Sequence, residues 1–178
     1  MGAPEASGIF ALRYRKGMAA LSAHAPTAPP THEKANPMLE YQVTATRRDS
    51  HGSEARAKDA LISLDTDMKG RLDAFNPAEL LLASVAACMI KGIERVAPML
   101  HFSFRGVEVK LRGVRQDAPP LMVRIDYELL VDTDEDDHRL DLLHANVRKY
   151  GTISNTVARA TVLEGKVMRA SAPGSKTR

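Results

Sequence analysis

The chain of 178 residues has one cysteine, no tryptophan and only 4% aromatic residues. One cysteine excludes an intramolecular disulfide and a cysteine-based zinc cluster. It suits a reducing compartment, so a cytoplasmic location is expected. With so few aromatics, the core has to be built from Leu, Val, Ile, Ala and Met. Long hydrophobic runs are missing too. The longest, Leu80 to Ile90, is about half of what a bilayer span needs, so no membrane association is expected. Charge of one sign is also lacking. There are 25 Lys and Arg against 22 Asp and Glu, a net +3. No Lys/Arg run reaches five and no aromatics alternate with basic residues, which argues against nucleic acid as a partner. The six His are scattered without metal-ligand spacing, so no metal is expected. The acidic string Asp132 to Asp137 lacks the spacing and the glycine of a calcium loop. No cofactor is expected.

The N-terminal part contains "RYRKGMAALSAHA". Basic residues followed by Ala23-His24-Ala25 are signal-peptide features. Met18 to Leu21 is too short for the apolar stretch of such a peptide, and export is not expected. "HAPTAPPTHEKANP" is rich in Pro, Ala and Thr and reads as an unstructured linker. Residues 1–37 are therefore expected to be a flexible extension and 38–170 one domain. "SAPGSKTR" at 171–178 is expected to be a tail.

From Leu39 the pattern becomes regular. "EYQVTATR" alternates Tyr41, Val43 and Ala45 with polar residues, the period of a half-buried strand. "DSHGSEARAKDALISLDT" predicts one or two further strands with bends at Gly52 and Lys58-Asp59. "GVEVKLRGV" and "LMVRIDYELLV" predict a hairpin turning at Asp117 to Pro120, with Val123, Ile125, Tyr127, Leu129 and Val131 on one face. "DTDEDDHRLDLLHANVRKYG" predicts a helix with Leu140, Leu143, Val147 and Tyr150 as its stripe and Gly151 as its C′ residue. "TISNTVARA" adds a short helical turn and "LEGKVMRA" a last strand.

The most apolar segment is "FNPAELLLASVAACMIKGIERV", which holds the cysteine, Cys88. Asn76 suits an N-cap and Pro77 the first helical position. Pro98 is expected to mark the end. From Ala78 to Ile90 only Glu79 and Ser84 are polar. A helix apolar almost all round is expected to be buried on most sides. The predicted order is β-β-β-α-β-β-α-β, an α+β domain. One small sheet covers one side of such a helix, and a second copy of the chain is the expected source of the other cover.

The same order, with the Asn-Pro-x-Glu-Leu-Leu…Cys helix, resembles the OsmC/Ohr family of osmotically inducible and organic hydroperoxide resistance proteins. The resemblance spans roughly Leu39 to Met168. Its most specific pieces are "NPAELLLASVAAC" and "KYGTISNTV…LEGKV". It implies an intertwined homodimer with central helices packed between sheets. It also implies that Cys88 is the nucleophile toward hydroperoxides. An arginine from the N-terminal strand region would stabilise the thiolate, and Arg47, Arg48 and Arg56 are the candidates. Two departures stand out. The family's second cysteine lies in a Cys-Pro-x-Ser motif, where this chain has Gly151-Thr152-Ile153-Ser154. The family's early acid in Asn-Pro-Glu-x-Leu is replaced by Ala78. Glu79, a possible orienting acid, follows one residue later, about 100° around the helix.

Each residue also has a plainer reading. Thiols in apolar surroundings are inert unless a positive neighbour supports the thiolate, so Cys88 can be simple core packing. Lys91, one turn on, is such a neighbour, though a solvated head is its ordinary role. The three arginines are ordinarily surface charges. Ser84 is expected to bond a helix carbonyl, and Ser154 and Thr156 have no triad context. Two functional readings follow. One is a single-cysteine, thiol-dependent peroxidase for organic hydroperoxides, regenerated by an external thiol. The other is a non-catalytic protein of the same fold that binds a small apolar ligand or acts in an assembly.

Overall fold

A computed structural model describes residues 38–170. The expected extension at 1–37 and tail at 171–178 lie outside the described residues. Residues 38–40, which form no helix or strand, belong to an N-terminal unit ending at Glu40. The elements below belong to the unit that begins at Tyr41.

Three short strands open that unit: β1 (Thr44–Arg47), β2 (Gly52–Ala57) and β3 (Ala60–Asp65). They pair antiparallel in the order β1-β2-β3. The bend at Lys58-Asp59 is where predicted, with Lys58 at φ 54 in the left-handed region. The first bend is held by the Asp49 carboxylate, which accepts the N–H groups of His51 and Gly52. The alternation at Tyr41, Val43 and Ala45 does not become a half-buried strand. Pairing starts only at Thr44, and Tyr41 and Val43 are 81% and 68% exposed. The apolar face exists, but nothing among the described residues covers it.

A loop organised by Asp65 leads on. Its nearly buried carboxylate accepts the N–H groups of Asp67 and Arg71. Then α1 (Pro77–Leu100) begins with a full capping box. The Asn76 side chain accepts from the Glu79 N–H, and the Glu79 carboxylate accepts from the Asn76 N–H. Pro98 does not end the helix; it sits within the last turn. There a proline forfeits one N–H without blocking the residues already wound. The stop is His101, left-handed at φ 49. The described residues of one chain cover α1 on one side, and the second cover expected from another copy lies outside a single chain. The buried residues of α1, Val85, Met89, Gly92, Ile93, Val96 and Ala97, form one stripe, and Ile90 is 40% exposed.

β4 (Gly106–Asp117) and β5 (Pro120–Asp132) form the expected hairpin. On β5 the residues Ile125, Tyr127, Leu129 and Val131 are buried, while Val123 is only partly so. α2 (Asp137–Tyr150), capped by the Asp136 carboxylate, buries Leu140, Leu143 and Val147 but leaves Tyr150 exposed. A short α3 (Thr152–Val157) precedes β6 (Val162–Arg169), which pairs parallel to β5. Gly151 is not the left-handed terminator expected: its φ is −77. Its value is close approach. A Cβ there would lie 3.1 Å from the Val147 carbonyl oxygen and 3.2 Å from the Ser154 side chain.

The domain is therefore α+β, with two three-stranded sheets and three helices. Its core fills the space between α1, α2 and the β4-β5-β6 sheet. Leu, Val and Ile supply most of that core, as the shortage of aromatics requires.

Candidate functional site

Helical spacing places Ser84, Cys88, Lys91 and Arg95 on one stripe of α1, at i, i+4, i+7 and i+11. This stripe runs beside the buried one and forms one wall of a cavity of about 380 Å³. Tyr150, Thr152 and Ile153 line it from the α2–α3 junction, and Tyr41 lines it from ahead of β1. Two glycines set the spacing of these walls. A Cβ on Gly92 would stand 3.1 Å from Val147 Cγ1, so glycine lets α1 and α2 approach closely. Gly151 does the same for the turn into α3.

Cys88 is a free, partly buried thiol in this cavity. Lys91 and Arg95 are exposed, line the same cavity, and form no ion pair with a described residue. No carboxylate lines it. The Lys149 ammonium lies nearby, 5.2 Å from the centre of the Tyr150 ring. The arrangement is an apolar recess with a thiol at one point and positive charge along one edge. Such a recess can hold an apolar molecule against the sulfur and stabilise negative charge that develops there.

The candidate residues are distributed unevenly around this geometry. Arg48 is exposed and pairs with Glu54. Arg47 on β1 and Arg56 on β2 are exposed. None of the three lines the Cys88 cavity within one chain. Glu79 holds the capping box. The Ser84 hydroxyl donates to the Leu81 carbonyl at 2.7 Å, a helix-internal bond of the kind expected for it. Arg95 is a cavity residue that sequence reasoning missed, although its i+7 spacing from Cys88 was there to be read. Tyr41, Tyr150, Thr152 and Ile153 carried no comparable signal, because tertiary packing alone brings them to α1. Among the described residues no cluster of His, Cys, Asp and Glu has metal-binding geometry. No described helix is long and apolar enough to cross a membrane.

The fold has known counterparts. An OsmC-like protein from Mycoplasma pneumoniae superposes with a TM-score of 0.70 at 19% identity, covering 75% of this chain and 99% of that one. An organic hydroperoxide resistance protein OsmC from Legionella pneumophila gives 0.57 at 21% identity, over 73% and 98%. The organic hydroperoxide resistance protein OhrB of Bacillus subtilis gives 0.53 at 19%, over 73% and 98%. At these identities the likeness establishes the fold. A search of curated proteins returns no match. The family assignment rests on the sequence itself: the model of the family described as OsmC-like protein matches residues 68–166, from the loop before α1 into β6. That segment is more than half of the chain and includes the Cys88 helix and the α2–α3 junction facing it, so the protein belongs to the OsmC-like family.

Proposed function

We propose that the protein is a thiol-dependent peroxidase that reduces organic hydroperoxides through Cys88. The observation that carries this reading is the placement of Cys88 in an apolar cavity edged by two cations, Lys91 and Arg95, that form no ion pair among the described residues. The Cys88 thiolate attacks the outer oxygen of the hydroperoxide, and the O–O bond breaks. The sulfur becomes a sulfenic acid, and the alkoxide leaves as an alcohol after taking up a proton. Lys91, one turn from the sulfur, supports the thiolate and the charge on the departing oxygen. No second cysteine exists, so regeneration falls to an external thiol. One such thiol displaces water from the sulfenic acid to give a mixed disulfide. A second releases Cys88 and leaves as the external disulfide. The apolar walls favour an alkyl peroxide over hydrogen peroxide. The working form is a homodimer in the cytoplasm, whose second copy covers the exposed face of α1.

Titration of the reduced protein with a slight excess of an alkyl hydroperoxide tests the reading. Mass spectrometry is expected to find one oxygen added per chain, at Cys88. Turnover is expected only with an added thiol or dithiol, and Cys88→Ser abolishes both. An unoxidised Cys88, under conditions where a free thiol control reacts, sinks the peroxidase.

Two observations favour the second reading, a non-catalytic ligand-binding protein. Gly151 stands where a resolving thiol would be, and the Glu79 carboxylate is engaged in the helix cap. This reading takes first place if Cys88 stays reduced.

A further inference from the structure

The face of the β4-β5-β6 sheet turned away from the core is ordered by charge. Side chains alternate along each strand, and the register sets the outward ones in rows across the sheet. Lys110, Glu128 and Lys166 form one row, and Arg112, Asp126 and Glu164 form the next. The strip between them, through Leu111, Tyr127 and Gly165, offers this side only backbone. The result is an open trough of about 830 Å³ that shares no lining residue with the Cys88 cavity. Its three acids are already engaged. Arg124 holds Asp126 and Glu164, and Lys166 holds Glu128. Arg112 and Arg148 also line the trough, and neither forms an ion pair with a described residue. Arg112 lies on β4, at one edge of the sheet. Arg148 comes from α2, which packs against β6 at the other edge. Two strand spacings, about 10 Å, separate those edges. Lys110, beside Arg112, meets an acid only at 3.8 Å, in an exposed contact with Glu108.

We infer that this trough binds a linear polyphosphate chain laid across the strands, with Arg112 and Lys110 at one end and Arg148 at the other. A guanidinium presents a planar fork that matches phosphate oxygens with two parallel hydrogen bonds. The occupant has to reach both ends, and its charge has to outweigh three carboxylates that are already paired. A chain charged at every phosphate meets both demands, and a single phosphate meets neither. Nucleic acid fits less well, because single strands are held by aromatic faces on which bases stack. The aromatic residue of the lining, Tyr127, is 3% exposed, and its hydroxyl is turned to His144. The inference is independent of the peroxidase reading.

Calorimetric titration of the full chain with short-chain inorganic polyphosphate, orthophosphate and a thymidine oligonucleotide tests it. Polyphosphate is expected to bind roughly tenfold or more tightly than orthophosphate, because both ends are engaged at once. Its affinity is expected to fall as salt is raised. Arg112→Gln and Arg148→Gln are each expected to weaken polyphosphate binding about fivefold, the upper end for one exposed charge pair. The double variant is expected to show the product of the two effects, since the residues stand at opposite edges. Arg115→Gln is the control. It removes the same charge from β4, at a residue that pairs with Asp117 outside the trough, and is expected to leave the affinity within twofold. A thermal melt of each variant checks that the fold is intact. Several results overturn the inference: no binding of polyphosphate, orthophosphate bound as tightly, or Arg115→Gln as damaging as Arg112→Gln, which reduces the effect to net charge. An oligonucleotide that binds more tightly than polyphosphate through the same two arginines overturns it in favour of nucleic acid.

Discussion

The Tyr127 hydroxyl on β5 lies 2.6 Å from Nε2 of His144 on α2. The two rings meet edge to face, with centroids 5.7 Å apart. This is a polar link within a mainly aliphatic core, and burial acts on both partners. It pushes the Tyr127 phenol up, and it pushes the His144 imidazolium down, helped by the neighbouring Arg148. A histidine whose folded pKa lies below its unfolded value of about 6.5 binds fewer protons folded than unfolded. Its contribution to stability is complete above about pH 6.5 and is lost as pH falls below it. His51 works in the opposite sense. Asp67 holds its pKa up, so its contribution is complete below about pH 6.5 and fades as pH rises through the raised value. His144→Gln keeps an acceptor for Tyr127 and removes the titration. The melting temperature of the native chain is expected to fall further between pH 7 and 5 than that of the variant. Parallel pH profiles would remove His144 as the cause.

Gly165 on β6 lies beneath Tyr127. A Cβ there would fall 2.5 Å from Tyr127 Cγ and closer still to the Tyr127 carbonyl oxygen. The obstacle is partly backbone, so a rotamer change cannot relieve it. Gly165→Ala is expected to cost about 2–3 kcal/mol, the upper part of the overpacking range. Gly106→Ala is the control. Its nearest obstacle is 4.0 Å away, so it is expected to be neutral or slightly stabilising. Urea denaturation of both variants measures the difference.

The entry to α1 is built by two reciprocal bonds between Asn76 and Glu79. Asn76→Ala is expected to lower stability by about 1 kcal/mol. Glu79→Gln keeps an acceptor for the Asn76 N–H and is expected to cost only a few tenths, through the lost interaction with the helix dipole. Denaturation curves test the pair. A slower oxidation of Cys88 in Glu79→Gln, at unchanged stability, is the signature of an orienting role for Glu79 beyond the helix cap.

Local periodicity made the elements legible, because β5 alternates and α1 carries a cap and a first-turn proline. The bends at Lys58 and at Asp117 to Pro120 were readable for the same reason. Long-range choices were not. Nothing in "LEGKV" says that β6 runs parallel to β5, and nothing in β1 to β3 says that they form a sheet of their own. Pro98 misleads because a proline in a last turn removes a bond the helix end can do without. Gly151 misleads because its purpose is room for Val147 and Ser154, not a positive φ. In the site, Cys88 and Lys91 were visible through helical spacing. Tyr41 and Ile153, more than a hundred residues apart in sequence, meet only in the folded chain.

Among the described residues, β3 and α1 carry large apolar side chains that stay uncovered. Leu61 and Ile62 of β3 are 48% and 46% exposed, and Ile90 of α1 is 40% exposed. Full burial of each such side chain contributes roughly 1.5–3 kcal/mol, enough for a few of them to support association. Sedimentation at micromolar concentration is expected to give a homodimer. Ile90→Asp would bury a carboxylate in the covered face and is expected to shift the protein to monomer. A native chain that sediments as a folded monomer contradicts the covering argument.

The source of the positive charge beside Cys88 decides how the site is assembled. Among the described residues the nearest candidate is Lys91, since side chains three residues apart on a helix are neighbours. Arg47, Arg48 and Arg56 belong to the β1-β2-β3 side and line no part of the cavity. Lys91→Gln is therefore expected to slow alkylation of Cys88 by iodoacetamide about fivefold at neutral pH, the scale of one partly exposed charge pair. Arg47→Gln, Arg48→Gln and Arg56→Gln are expected to leave the rate within twofold. A different outcome has a definite meaning. If one of the arginine variants slows the reaction and the effect vanishes in the Ile90→Asp background, that arginine reaches Cys88 from a second copy. Lys91 is then only a solvated edge of the cavity, and the site is incomplete in the monomer. If Lys91→Gln slows the reaction equally in both backgrounds, the thiol is activated by its own helix. Association then serves to cover α1 rather than to complete the chemistry.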